Sequence, residues 1–342
     1  MLAPRTLDGG DERHGAAPVP RSRLAARRGV PALRTPSSRV LSRSRCSSRM
    51  HGNERVPMVR PLEQSALIDT YRRSRGGVPS AWYGHVPFGN WLTTTTRPRV
   101  VVELGTHNGV SFSSFCDAVA AHDIPATCFA IDTWLGDPQA GVYGEEVWAD
   151  WSRFSAEHYG QFARLLRGTF DEALPEFADG SIDLLHIDGL HTYDAVKHDF
   201  DSWLPKMSPR GVIIMHDIAE RHDDFGVWQL WEEIQATHPT FAFEHEHGLG
   251  VVAAGPEAPS SVQALVTADA NETTEWRARF AAAGERIQLE ELANQLHTKV
   301  ATLEGKVTDR EAQLADAHAS TSWRVTSPLR AASRALSRLR SR

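Results

Sequence analysis

The chain has 342 residues, 41% of them hydrophobic, enough for one substantial domain with appendages. Its net charge of −6 is uneven: eleven arginines against three acids give residues 1–50 a net charge of +8, which leaves −14 for the remainder. An acidic body of that kind is a poor non-specific nucleic-acid binder, and no nucleic-acid partner is expected. The three cysteines, Cys46, Cys116 and Cys128, make neither a disulfide framework nor a zinc-ligand spacing, and no apolar run reaches transmembrane length, so a reducing cytoplasm is the expected compartment.

Residues 1–57 are rich in Arg, Ser, Pro and Ala and hold few large apolar side chains, so a disordered basic arm is expected there. Arginine outnumbers lysine 33 to 4, a bias of GC-rich coding. It favours a translation start placed too early, with Met50 or Met58 as the true one, over a transit peptide. Residues 58–98 read as an N-terminal helical cap. An amphipathic helix over Leu62–Arg73 is followed by an aromatic loop broken by Gly and Pro, with Trp82, Tyr83, His85, Phe88 and Trp91. That loop is expected to pack on the core or to cover a pocket.

Arg99–Leu104 is the first strong strand. It runs into Gly105-Thr106-His107-Asn108-Gly109 and a helix from about Ser111. Strand, glycine turn and helix start form a cradle with close backbone approach and free N–H groups. The glycine spacing is not the G-x-G-x-x-G of dinucleotide sites. A second strand, Thr127–Ile131, ends at Asp132, where doubly wound folds hold ribose hydroxyls. Thr133–Tyr159, with Trp134, Tyr143, Trp148 and Trp151, is too long for a simple loop and is read as a helical lid. Phe162–Arg167 is a third strand, leading through Gly168, Thr169 and Phe170 into a helix over Asp171–Phe177.

The most informative stretch is Ile182–Asp217. Two apolar runs, Ile182–Ile187 and Val212–Met215, end in Asp188 and in His216-Asp217. Between them Val196, Phe200 and Trp203 stand at helical spacing, so strand, crossover helix, strand is the economical reading. A right-handed crossover puts both strand ends on one edge and gathers Asp188, His191, His216 and Asp217 where open α/β sheets bind ligands. A helix over Val227–Ile234 and a hairpin of Phe241–His245 and Gly248–Val252 complete the pattern. His245 and His247 are expected at the surface, and His222, Asp223 and Asp224 in a solvated loop. The expected fold is a doubly wound, mostly parallel α/β sheet of seven strands, the last antiparallel, over residues 99–256. Beyond it come a linker (257–282), a coiled coil (283–318) and a basic amphipathic tail (319–342). The coiled coil rests on one apolar set, Ala293, Val300, Val307 and Leu314, and another, Leu289, Leu296 and Leu303, broken at Arg310; a homodimer is its default partner. The tail has six arginines and no acid, which fits peripheral contact with an anionic membrane.

With these pieces in place the chain resembles the class I S-adenosylmethionine-dependent methyltransferases, whose fold is Rossmann-like. VVELGTHNGVSF resembles their first motif and AIDTWLGD their second. DLLHIDGLHTYDAVKHDFDSWLPKMSPRGVIIMHD resembles a bacterial subfamily of small-molecule and sugar O-methyltransferases. The likeness covers about residues 95–255. The tail TSWRVTSPLR resembles segments that follow coiled coils in bacterial polysaccharide-assembly proteins. The resemblance implies S-adenosylmethionine as cofactor, with Glu103 and Gly105 at its methionine end and Asp132 at its ribose. Asn108, Thr133 and Asp188 belong to the same cofactor set, and Gly168 and Thr169 lie near the adenine. Metal-dependent relatives bind Mg²⁺ through an acid after the fourth strand and an acidic pair after the fifth. Asp188 and Asp217 match the outer positions, while His216 replaces an acid, which suits Mg²⁺ less than softer divalent ions. Methylating a sugar or natural-product hydroxyl needs its proton removed, and His191 is the candidate base with His216 second. Two other readings stay open: another nucleotide-cofactor enzyme on this scaffold, and a non-catalytic scaffold with a degenerate core.

Overall fold

The computed structural model describes residues 65–139 and 141–340; the expected basic arm lies outside them, as does the start of the first expected helix. The chain opens with α1 (Ser65–Thr70), α2 (Val86–Thr96), β1 (Val100–Leu104), α3 (Val110–Ala121) and β2 (Thr127–Asp132). A small hairpin, β3 (Gly136–Asp137) and β4 (Gly141–Val142), precedes α4 (Glu145–Tyr159), β5 (Ala163–Arg167), α5 (Phe170–Ala173) and β6 (Ile182–Ile187). Then follow α6 (Tyr193–Trp203), β7 (Met207–His216), α7 (Val227–Gln235), β8 (Thr240–Phe243) and β9 (Leu249–Ala253). The chain continues through α8 (Ser260–Val266), α9 (Ala270–Ala319), α10 (Thr321–Val325) and α11 (Ser327–Arg340).

Seven strands form one sheet in the order β5-β2-β1-β6-β7-β9-β8. The pairs among β5, β2, β1, β6 and β7 are parallel, and β9 runs antiparallel to both of its neighbours. The chain starts at the middle of the sheet, winds outward to β5, then returns to β6 on the other side of β1. That reversal opens a crevice beyond the C-terminal ends of β1 and β6. Both faces of the sheet are covered, as the near-continuous apolar strands require. Val101 and Ile214 pack on one side with Phe112, Phe115, Trp91 and Phe280. Val102 and Ile213 pack on the other with Phe200, Trp203, Leu230 and Trp231.

Two expectations are corrected here. The second half of the aromatic loop, with Phe88 and Trp91, is the helix α2, while Trp82, Tyr83 and His85 stay in the turn before it; Pro87 sits in the helix's first turn, where a missing N–H costs nothing. Thr93, Thr94 and Thr96 return their hydroxyls to carbonyls four residues back. The linker at 257–282 is helical instead, as α8 and the first quarter of α9. Asp269 starts α9 with a capping box shared with Glu272. Trp276, Phe280, Ala283 and Ile287 are then buried on the domain, with Trp276 against Trp91 at 5.3 Å and Phe280 against Phe88 at 5.1 Å. Arg73 pairs with buried Glu291 at 2.6 Å, which ties the cap to the same helix. The domain therefore runs to about residue 291. Short polar composition hid two helices whose apolar positions are few but large.

On α6, Asp199 is 8% exposed. Burial pushes its carboxyl up to about 7, with His198 opposing and Asp171 assisting. Because that value exceeds the ordinary 3.8, the unfolded carboxyl ionises first as pH rises from 4 to 7, and stability falls over that window. The expected loss is on the order of 4 kcal/mol at most. Thermal unfolding of Asp199→Asn should show a flatter slope between pH 5 and 8 and a higher Tm than wild type at pH 8.

Candidate active site

The crevice holds a cavity of about 790 Å³. Its walls are the β1–α3 turn, the end of β2 with the β3–β4 hairpin, the ends of β6 and β7, and Pro79–Trp82 from the cap. Gly105, Asn108, Asp132, Thr133, Thr169, Asp188, His191, His216 and Asp217 all line it.

The β1–α3 turn is held by backbone chemistry. Gly105 has φ +86, and a Cβ there would lie 1.9 Å from the Asp188 carbonyl oxygen, so β1 can press against the end of β6 only with glycine at this place. Asp132 Oδ2 accepts from the amides of Thr106 and His107 at 2.9 and 2.8 Å, and its Oδ1 accepts from Trp134 N at 2.7 Å. This carboxylate fixes two loops and still faces the cavity with part of its acceptor capacity. Arg75, 5% exposed, donates to the Asn108 carbonyl at 2.9 Å and pairs with Asp150. His107 stacks on Tyr143 with ring centroids 4.6 Å apart.

The other wall carries the ionisable cluster. Parallel pairing of β6 with β7 sets Ile187 opposite Met215, so Asp188 emerges beside His216 and Asp217. Asp217 takes φ +61, a left-handed conformation that Asp tolerates and that reverses the chain after β7. His191 Nε2 lies 2.7 Å from Asp217 Oδ2 and 3.5 Å from Asp188 Oδ1. His216 Nδ1 lies 3.2 Å from Asp217 Oδ2 and 3.5 Å from Asp188 Oδ1. Burial lowers the proton affinity of both imidazoles, but the two carboxylates outweigh it and raise each to about 10. Burial likewise works against ionised Asp217, yet His191 and His216 hold its carboxyl at about 2. The same two imidazoles keep Asp188 well below the usual carboxylate range, also against burial. Two carboxylates and two imidazoliums thus form a nearly neutral knot. His191 in this state carries a proton and cannot accept another.

Some expected site residues stand elsewhere. Glu103 is fully buried on β1 and accepts from His186 Nδ1 at 2.9 Å; it is not part of the cavity wall. Gly168 also lies off the wall, its amide bonded to the Asp132 carbonyl at 3.0 Å, while the next residue, Thr169, reaches the cavity and caps α5. His222 and His247 are solvent-accessible as expected, with side chains 59% and 43% exposed, and they also stand at the cavity rim, where both contact Glu220, at 3.0 and 2.6 Å. His245 is half-buried, with its ring 4.5 Å from that of His85.

Three participants were not foreseen. Gln139 accepts from the His191 amide at 2.8 Å and sits 3.1 Å from its Nδ1, leaving Nε2 to face the acids. Phe225 stacks on the His191 ring at 4.9 Å. Glu220 joins the rim histidines. No pattern in the chain marks Gln139, which reaches the site through a hairpin of two-residue strands.

Residues 102–218 match a family described as a methyltransferase domain. A protein of Sinorhizobium fredii, y4gI, described as uncharacterized, is 43% identical over 257 residues, covering 74% of this chain. The chain spans only 27% of that relative's length. Among solved structures, an O-methyltransferase of tomaymycin synthesis from Streptomyces achromogenes overlaps 52% of this chain and 82% of its own at 16% identity and TM-score 0.40. An O-methyltransferase from Bacillus cereus overlaps 56% and 88% at 14% identity and TM-score 0.39. The matched family, rather than these low overlaps, identifies the core: residues 102–218 carry a methyltransferase domain.

Proposed function

We propose that this domain transfers the methyl group of S-adenosylmethionine to a hydroxyl of a sugar or natural-product acceptor, with Asp188 and Asp217 as ligands of a divalent cation and His191 as the base. The observation that carries the reading is the placing of His191 Nε2 against both carboxylates on the wall of one cavity with the glycine turn. A volume of about 790 Å³ suits a cofactor and an acceptor side by side. Asp132 would take the ribose hydroxyls with its remaining acceptor capacity, and Phe170 would lie against the adenine.

The donor set fits a cation. Asp188, His191 and Asp217 each offer one ligand atom, all within 4.8 Å of one another. The buried His191 Nε2 has no well-directed hydrogen bond among the described residues. The two carboxylates suit Mg²⁺ or Mn²⁺, and His191 stands beside them as the base rather than as a ligand, since a metal-bound ring nitrogen cannot take a proton. A bound divalent ion would lower the pKa of an acceptor hydroxyl and draw the carboxylates away from the imidazolium proton. The chain's own residues do the rest. Gln139 and Phe225 fix the plane of His191. The Gly105 turn lets the donor approach the end of β6. Trp82 and the hairpin limit water. In-line displacement then needs alignment more than covalent help from the protein.

Isothermal calorimetry should show S-adenosylmethionine binding to the full chain, weakened roughly 10- to 100-fold in Asp132→Ala that keeps its circular dichroism spectrum. Absence of binding by folded wild type would sink the proposal. With a panel of sugar and phenolic acceptors, His191→Gln should lower kcat by about 10²- to 10⁴-fold and leave cofactor affinity nearly unchanged. Chelation, or Asp217→Asn, should remove most turnover, and added Mn²⁺ or Mg²⁺ should restore it in wild type alone. Turnover indifferent to chelator and to Asp217→Asn would leave the methyl transfer standing and remove the cation from it.

A further inference from the structure

The last 28 residues of α9 leave the domain. After buried Glu291, every residue from Leu292 to Ala319 is exposed. At about 1.5 Å per residue that is some 40 Å of helix. It displays Leu296, Val300, Leu303, Val307 and Leu314, each between 51% and 57% exposed. A helix this polar does not hold such a stripe open in water without a partner.

The identity of the partner is written in the heptad. Spacing of four and three places Ala293, Val300, Val307 and Leu314 at a positions and Leu289, Leu296 and Leu303 at d. β-Branched residues at a with leucine at d favour two parallel strands. The flanking charges agree. Lys299 and Lys306 occupy g, and Glu304 and Glu311 occupy e, each five residues after a lysine. In a parallel in-register pair, g of one helix meets e of the next heptad on the other. Lys299 then faces Glu304 of the second copy, and Lys306 faces Glu311, giving four opposite-charge pairs by symmetry. An antiparallel pair would set lysine on lysine and glutamate on glutamate. Within the chain, the residues three and four positions from Lys299, Glu304 and Glu311 offer no opposite charge. Arg310 falls at d and limits the tight seam to Leu289–Val307, with a stem long enough to lift its charge into water.

We infer that the free half of α9 forms a parallel, in-register, two-stranded coiled coil with a second copy of this chain, independently of the methyl-transfer reading. The two catalytic domains then stand at one end. The two α11 helices, each with Arg330, Arg334 and Arg338 on one side and Leu329, Leu336 and Leu339 on the other, emerge together at the opposite end.

Sedimentation equilibrium of the full chain tests this. Wild type should be a dimer. Lys299→Glu with Lys306→Glu, and separately Glu304→Lys with Glu311→Lys, should each raise the dimer dissociation constant roughly tenfold or more. Mixing the two variants should restore dimers. Val307→Cys should give a reducible covalent dimer under mild oxidation, above any formed by wild type, because a positions of a parallel pair face each other. A monomeric or trimeric wild type would overturn the inference. So would a dimer whose charge variants do not complement, or one that Val307→Cys fails to cross-link.

Discussion

Two carboxylates at the ends of adjacent strands repel each other unless something positive lies between them. Pairing of β6 with β7 forces Asp188 and Asp217 into that position, and His191 and His216 supply the charge. Other features of the site follow from meeting this constraint. Asp217 accepts a left-handed backbone to bring its carboxylate round, and Gln139 and Phe225 hold the His191 ring with Nε2 beside the acids. The arrangement is self-neutralised as it stands. On the proposed reading, a cation and an imidazolium proton would compete for the same oxygens, which would link metal occupancy to the ability of His191 to accept a proton.

A second fixed point faces the first across the cavity. Asp132 gathers three backbone amides, and Arg75 and Asn108 tie the same turn to the cap. Left-handed residues cluster here too, at Gly105, His107, Gly109 and Trp134. Strain of that kind persists only where surrounding packing over-determines it. The packing comes from the cap, through Arg75 and Pro79 on Asn108, and from Trp151 of α4, whose ring stands against Gly109.

The sheet could be read from the chain because its strands are apolar on both faces, and the apolar runs with their terminal acids mark edges as well as strands. Asp188, His191, His216 and Asp217 were found by that logic, and the structure does bring them together. Glu103 misled because an acid at the end of β1 looks the same in sequence whether it turns to the cavity or pairs with His186 inside. Gln139, Glu220 and the rim histidines were missed because short irregular segments place them, with no period to betray it. The helix over Ser260–Val266 and the start of α9 were missed for a different reason: four apolar anchors among Ala, Thr and Glu do not stand out until Trp91 and Phe88 are seen opposite them.

On the proposed reading, one cavity brings a methyl donor on Asp132 to the Asp188–His191–Asp217 cluster. A crystal structure of the full chain with S-adenosylhomocysteine and Mn²⁺ tests it most directly. Ribose hydroxyls are expected on Asp132, the cofactor sulfur turned toward the cluster, and metal density held by Asp188 and Asp217. A ligand bound elsewhere, or one in the cavity with its ribose away from Asp132 and its sulfur away from the cluster, would contradict it.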